Sequence, residues 1–352
     1  MPNSDRTWWL RPYQFFQHQR NWLDLEYQPY KKHPAGQPYL PGELPSTLHV
    51  ATWNVDSLGP QSAQRLLYLL DTLMVYFPLR PGRQRHDPLA IGPAVICLQE
   101  VSETALPALL AHHWVRSYFT VLGADPHQSW PRGARFGCVT LLSRAVPLTA
   151  AYSYSFHTSG QLRRAIIADV LVQGPSGAEV LRIANAHLES LGRETGTRGM
   201  QARELTNWLY SPDVVGGILA GDLNVLTNAD EENLQLAGFV DVWDGEPPDH
   251  TWWPRKSAVR AGREKNYPPG RLDRIMITRS RAVEVLKSVT RIGLDGQLPI
   301  SREEISDHCD RGVSIRRQTC LDRGFHSEAR NASTVAICVK VVLFFAFGTA
   351  LT

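Results

Sequence analysis

Cysteine is sparse: five residues in 352 (Cys97, Cys138, Cys309, Cys320 and Cys338), an odd number with no Cys-x-x-Cys spacing. That spacing indicates neither a disulfide framework nor a structural zinc site, and it favours a reducing, intracellular compartment, nucleus or cytoplasm. Excess charge is lacking too. Thirty-seven Lys and Arg against thirty-four Asp and Glu leave a net charge of +3, so any basic patch has to be local. No basic start followed by an apolar run opens the chain, which gives secretion no support. The one long apolar stretch, Val335 to Leu351, is interrupted by Lys340 and falls short of the roughly 20 residues of a spanning helix, so no stable membrane contact is expected. With 43% hydrophobic and 20% charged residues, the composition is that of a folded protein rather than a disordered or collagen-like one. No repeat of 20 to 50 residues is present.

Three regions follow from the pattern. Residues 1–47 are rich in aromatics (Trp8, Trp9, Tyr13, Phe15, Phe16) and then in proline (Pro34, Pro38, Pro41, Pro45), which predicts an extended leader. From 48 to 318 the chain alternates short apolar runs with turn residues. Buried strands are expected at 48–53, 94–98, 137–143, 165–172, 180–187, 216–219 and 274–277. Helices are expected at 61–77, where Leu66, Leu67, Leu70, Leu73 and Met74 recur at helical spacing, and at 199–210. Many strands with interspersed helices suggest two packed sheets covered by helices. Residues 319–352 form an atypical tail whose apolar end reads as a buried segment or an irregular terminus.

Several expected strands end in a polar group that a core strand does not need. Asn54 and Asp56 follow the first, Glu100 the second, His187 and Ser190 a later one, and Asp222 and Asn224 another; Asp273 and the pair Asp307-His308 come last. If the strands lie side by side, these groups meet at one rim, a set suited to divalent-metal phosphate chemistry. Carboxylate oxygens suit Mg²⁺, with Mn²⁺ as a substitute, and Glu100 and Asp56 are the candidate ligands. Asp307 would support that shell through water. Asp222 is placed to orient or deprotonate a water, with Asn54 and Asn224 holding the parts in position. His308, kept protonated by Asp273, would face the charge that spreads over the phosphoryl oxygens. Each residue also has a structural reading: Asn or Asp after a strand forms turns, Glu100 caps a helix near Ser102, and His187 is a satisfied core histidine.

The ordered blocks Trp53-Asn54, Gln99-Glu100, His187-Leu188-Glu189-Ser190, Gly221-Asp222-Leu223-Asn224, Leu272-Asp273-Arg274-Ile275 and Ser306-Asp307-His308 resemble the endonuclease/exonuclease/phosphatase superfamily over about residues 48–315. The resemblance implies a deoxyribonuclease-I-like fold, an α/β four-layer sandwich of two mixed β-sheets flanked by helices. Thr52 to Leu58, the His187 block and Asp241-Val242-Trp243 before Thr251-Trp252 are most similar to 5′-tyrosyl-DNA phosphodiesterases. It further implies that Asp56 and Glu100 carry Mg²⁺, that Asp222 is the acid/base residue, and that His308, Asn54 and Asn224 contact the scissile phosphate. His187 and Ser190 would line the pocket, and Trp252 and Phe136 would wall the DNA 5′ end unless they are core residues.

The chain also departs from that pattern. Leu191-Gly192 stands where the family has Thr-Arg, displacing Arg193 by two positions; Leu226 replaces an arginine; and Cys309-Asp310 follows His308 in place of Trp-Gly. Between 255 and 281 nine Lys or Arg (Arg255, Lys256, Arg260, Arg263, Lys265, Arg271, Arg274, Arg279, Arg281) make the local basic patch, read as a track for DNA or as a solvated loop. The expected partners are DNA ends, including protein-linked ones, met by a monomer. The leading expectation is Mg²⁺-dependent hydrolysis of 5′-phosphotyrosyl DNA. A phosphoinositide or sphingomyelin hydrolase of the same superfamily and an inactive nucleic-acid-binding module are the alternatives.

Overall fold

The computed structural model describes residues 6–25, 44–57, 61–174, 177–243, 250–252, 268–279, 283, 285, 290–292 and 338–344. The chain starts with strands β1 (Thr7–Trp9), β2 (Tyr13–Phe16), β3 (Asn21–Asp24) and β4 (Thr47–Asn54), followed by helix α1 (Ser62–Tyr76) and β5 (Ala94–Ser102). Helices α2 (Leu106–Ala111) and α3 (His113–Tyr118) lead to β6 (Phe119–Leu122), and α4 (Pro126–Ser129) to β7 (Phe136–Ser143). Then come β8 (Leu148–Ser155), β9 (Arg164–Gly174), β10 (Gly177–His187), α5 (Thr195–Leu209), β11 (Gly216–Asp222), α6 (Asn228–Leu236), β12 (Phe239–Asp241) and β13 (Asp273–Thr278). The last described strands are β14 (Thr290–Ile292) and β15 (Cys338–Phe344). Among the described residues these strands form two mixed sheets, one ordered β1-β8-β9-β10-β11-β13-β12 and the other β14-β15-β4-β5-β7-β6-β2-β3.

Period-two alternation sorts the core into layers. Leu48 and Val50 of β4 and Val95 and Cys97 of β5 point inward, where they pack on Ile166, Ile183, Ile218 and Ala220 of the other sheet. Their neighbours Ala51, Trp53, Ile96 and Leu98 point outward onto Leu66, Leu69, Leu70 and Leu73 of α1. On the opposite flank Ala184 and Leu219 pack on Leu205 and Trp208 of α5. The result is the helix-sheet-sheet-helix sandwich expected from the sequence. The helices expected at 61–77 and 199–210 correspond to α1 and α5.

One expectation is corrected. The segment 1–47 is not a separate leader: β1 is the edge of the seven-stranded sheet, paired antiparallel with β8, and β2 and β3 extend the other sheet beyond β6. Leu10 is buried between the sheets. The aromatic half of the segment carries enough apolar side chains to join both sheets, and the prolines lie after β3; Pro34, Pro38 and Pro41 fall outside the described residues. Part of the apolar end is likewise a strand. β15 lies parallel to β4, in register from Cys338 opposite Thr47 to Leu343 opposite Thr52, and takes β14 on its other side. No helix among the described residues is long and apolar enough to cross a membrane.

Candidate active site

Strand register delivers the polar ends to one place. Asn54 pairs opposite Gln99. In the other sheet His187 pairs beside Asp222, and Asp222 opposite Asp273. The inward positions of β4, β10 and β11 (48, 50, 52, 54; 181, 183, 185, 187; 218, 220, 222) therefore end in Asn54, His187 and Asp222, all facing the seam between the sheets. Counting along β5 in the same way turns Glu100 outward, on the side of Ile96 and Leu98. A bulge between Leu98 and Val101 corrects this, and Glu100 takes φ 55. The extra residue re-aims the carboxylate into the seam, the use to which bulges next to active sites are put.

The Asn54 amide joins the two sheets chemically. Its Nδ2 donates to Glu100 Oε1 at 3.0 Å and to Asp222 Oδ2 at 2.9 Å, while its Oδ1 accepts from the backbone N–H of Asp56 at 3.0 Å. Asp222 divides its oxygens in the same way, since Oδ1 accepts from the backbone N–H of Asn224 at 3.0 Å. The turn-forming contacts of these residues thus use different atoms from those that meet in the seam. Glu100 Oε2 accepts from the backbone N–H of Ser57 at 3.1 Å and from its Oγ at 2.8 Å. Asn224, in the left-handed region at φ 49, donates from Nδ2 to Leu188 O at 3.0 Å and ties down the loop after β10. Behind the site Gln99 Nε2 donates to Asn185 Oδ1 at 2.8 Å, and Asn185 Nδ2 donates to Leu98 O and Val139 O, a buried polar clasp that fixes one sheet against the other. Gly221, just before Asp222, has no room for a side chain: a Cβ there would lie 1.8 Å from Ala186 O.

His187 sits between the two carboxylates, its Nε2 3.4 Å from Asp222 Oδ2 and 4.0 Å from Glu100 Oε1. Arg163 Nη1 is 3.0 Å from His187 Nδ1, so Nδ1 accepts and the proton rests on Nε2, aimed at the carboxylates. Burial, reinforced by Arg163, holds the imidazole well below its ordinary pKa, which keeps it neutral. Burial pushes the Asp222 carboxyl up to about 6, against the hydrogen bonds from Asn54 and the Asn224 backbone that favour its ionised form.

The remaining expected residues divide. Asp273 is fully buried beside Asp222, and its backbone N–H donates to Thr251 Oγ1 at 2.9 Å. Phe136 is half-buried and lines a cleft of about 400 Å³ together with Glu100, His187 and Arg163. Ser190 reaches the site's edge, where its Oγ donates to Gln161 at 2.8 Å and lies 3.4 Å from Arg163. Asp56 does not face the seam as a free ligand: Arg65 Nη1 donates to its Oδ2 at 2.9 Å and Nη2 to its backbone O. Arg193 is 77% exposed and pairs with its neighbour Glu194, outside the cluster. Trp252 is 5% exposed in a backbone bridge with Gly270, which is the core-packing outcome. Arg271 and Arg274 of the basic patch are turned inward onto Asp241, at 2.6 and 2.8 Å, so they do not track a backbone. Arg279 is exposed, and Arg255, Lys256, Arg260, Arg263, Lys265 and Arg281 lie outside the described residues, as do Asp307 and His308.

Sequence reasoning missed Arg163, Arg65 and the pinning of the loop before β9. Glu189 is buried and accepts from Ser159 Oγ and Gln161 N–H, both at 2.7 Å, which fixes the loop that carries Arg163. The run Gln161-Leu162-Arg163-Arg164 at a strand start was the available signal.

The donor set suits a hard divalent cation: the carboxylate oxygens of Glu100 and Asp222, with no thiolate among them. Among the described residues no three His, Cys, Asp or Glu side chains form a closed cage. An ion here would be held by few side chains and completed by water and phosphate oxygens, as Mg²⁺ commonly is.

The sequence profile described as the Endonuclease/Exonuclease/phosphatase family matches residues 51–308. No curated protein sequence matches the chain. Among solved structures it is similar to a humanized D. rerio TDP2 (24% identity, TM-score 0.49, covering 67% of this chain and 85% of that one). It is also similar to a truncated Caenorhabditis elegans TDP2 (18%, 0.46, 65% and 82%) and to the human Nocturnin catalytic domain (17%, 0.43, 67% and 84%).

Proposed function

The chain belongs to the Endonuclease/Exonuclease/phosphatase family, and from that premise we propose that it is a Mg²⁺-dependent phosphodiesterase that removes a tyrosyl or similar block from DNA 5′ ends and leaves a 5′ phosphate. The observation that carries the reading is the single Asn54 amide hydrogen-bonded to Glu100 from its own sheet and to Asp222 from the other. That contact needs both sheets in place, and it converts separate strand ends into one site.

Each residue has a task in this reading. Glu100 would hold Mg²⁺ or Mn²⁺, and a bound ion supplies Lewis-acid polarisation of the phosphoryl group. Asp222, ionised above about pH 6, orients a water and takes its proton. Asn54 keeps the Asp222 carboxylate aimed while that proton moves. His187 Nε2–H and the Arg163 guanidinium donate toward the oxygens on which charge builds in the transition state. Phe136 and the cleft around it receive the group on the 5′ side. Such an enzyme would work as a monomer on protein-linked DNA ends, in the nucleus or cytoplasm.

The lipid-headgroup alternative leaned on an apolar tail for membrane contact; residues 338–344 of that tail are strand β15, so this support lapses. Incubating the protein with 5′-phosphotyrosyl oligonucleotide, abasic duplex and phosphoinositides in Mg²⁺ separates the candidates. Release of free tyrosine and a 5′-phosphate end is expected, lost in EDTA. Headgroup or phosphate release from lipid alone contradicts the proposal, and DNA binding without turnover of any substrate points to the binding module.

A further inference from the structure

The strands formed by residues 7–24 build a second feature beside the catalytic cleft. Trp8 and Trp9, on the edge strand β1, are 41% and 57% exposed. They wall an open cleft of about 810 Å³ together with Arg11, His127, Gln128 and Arg164. Arg164 also lines the catalytic cleft, so the two hollows share a wall. Its guanidinium carbon lies 4.5 Å from the centroid of the Trp8 ring, and its Nη1 donates to Trp130 O at 2.9 Å, so ring and cation hold each other in a set orientation. Among the described residues no carboxylate lines the second cleft. Arg11 touches Asp24 outside that wall at 3.4 Å, an exposed contact of little strength. Arg132 and Arg135 are exposed on the rim of the catalytic cleft, where Glu100 is the one acidic lining residue among the described residues.

A large aromatic ring exposed on a sheet edge, fixed by a guanidinium and flanked by further cations, meets the two needs of a nucleic-acid strand together: a π-face for a base and positive charge for phosphates. An acidic peptide would use the cations and leave the Trp8 ring without a role. We infer that the Trp8–Arg164 shelf is the track for single-stranded nucleic acid running on from the scissile phosphate, with a base stacked on Trp8 and the backbone met by Arg11 and Arg164. The inference rests on the phosphodiesterase reading for what occupies the catalytic cleft, but its test needs no turnover.

The test is the affinity of the full chain, in EDTA, for labelled single-stranded 5′-phosphorylated oligonucleotides of increasing length. Wild type is expected to gain affinity once the strand is long enough to reach the shelf and then to level off. Trp8→Ala should remove that gain, about tenfold for one stacked base, while binding the shortest strands as wild type does; Trp8→Phe should restore most of it. Arg11→Glu should weaken only the long strands. Affinity independent of length, or a Trp8→Ala protein that matches wild type at every length, overturns the inference. A Trp8-dependent gain in a protein that releases no tyrosine supports the shelf while the proposed activity fails.

Discussion

Asp222→Asn is expected to lower phosphodiester hydrolysis by about a thousandfold and, in the absence of metal, to make the protein more stable. The loss follows from removing the one carboxylate placed to take a proton, a role worth about 10²–10⁴ in rate. The gain follows from linkage. The folded Asp222 carboxyl is held at about 6 by burial, above its ordinary 3.8. The stability contributed by its neutral form is fully present below about 3.8 and is lost as pH rises through about 6. Above that pH the wild-type protein buries an anion near Glu100 that asparagine does not. Denaturant unfolding in EDTA at pH 8 should therefore show Asp222→Asn more stable by about 1–3 kcal/mol, with the difference shrinking toward pH 4. A variant that is less stable at pH 8, or a difference that does not change with pH, would contradict this account of the site's electrostatics.

Arg65→Met is expected to cost about 3–5 kcal/mol, the largest stability loss of any single change considered. Asp56 is fully buried, and Arg65, itself 6% exposed, grips both its carboxylate and its carbonyl. Removing the cation takes the guanidinium away from a buried anion, which is far more damaging than replacing both partners. The double variant Asp56→Asn with Arg65→Met should accordingly recover much of the loss in urea unfolding. The same pair holds the turn from Asn54 to Ser57, so Arg65→Met should also weaken Ser57's grip on Glu100 and raise the Mg²⁺ concentration needed for activity. A cost below about 1 kcal/mol would show that the turn is held by other means.

Much of the fold was legible because its signals are local. Strands β4, β5, β7, β9, β10, β11 and β13 are apolar runs closed by turn residues, and their polar last residues mark the rim. What could not be read depends on partners far away in the chain. β1 is three residues long and is a strand only because Tyr152 to Tyr154 lie opposite it. Arg65 reads as the polar face of a helix until Asp56 comes within its reach. Glu100 faces the seam only because a bulge overrides the alternation, and no residue type announces a bulge of that kind. Asp56 was read as a ligand from its place after a strand, and its pairing with Arg65 of the following helix could not be read there. Two residues of the basic patch were hidden in a similar way: composition counts Arg271 and Arg274 as surface charge, whereas Asp241 draws both inward.

The most direct test of a single site built from two sheets is a double-mutant cycle on tyrosine release with Glu100→Gln, Asp222→Asn and the pair. If the two carboxylates act as one unit through the Asn54 amide, each single variant should lose nearly as much activity as the double. Losses that multiply, with the double variant slower than either single by the other's full factor, would mean that Glu100 and Asp222 act independently.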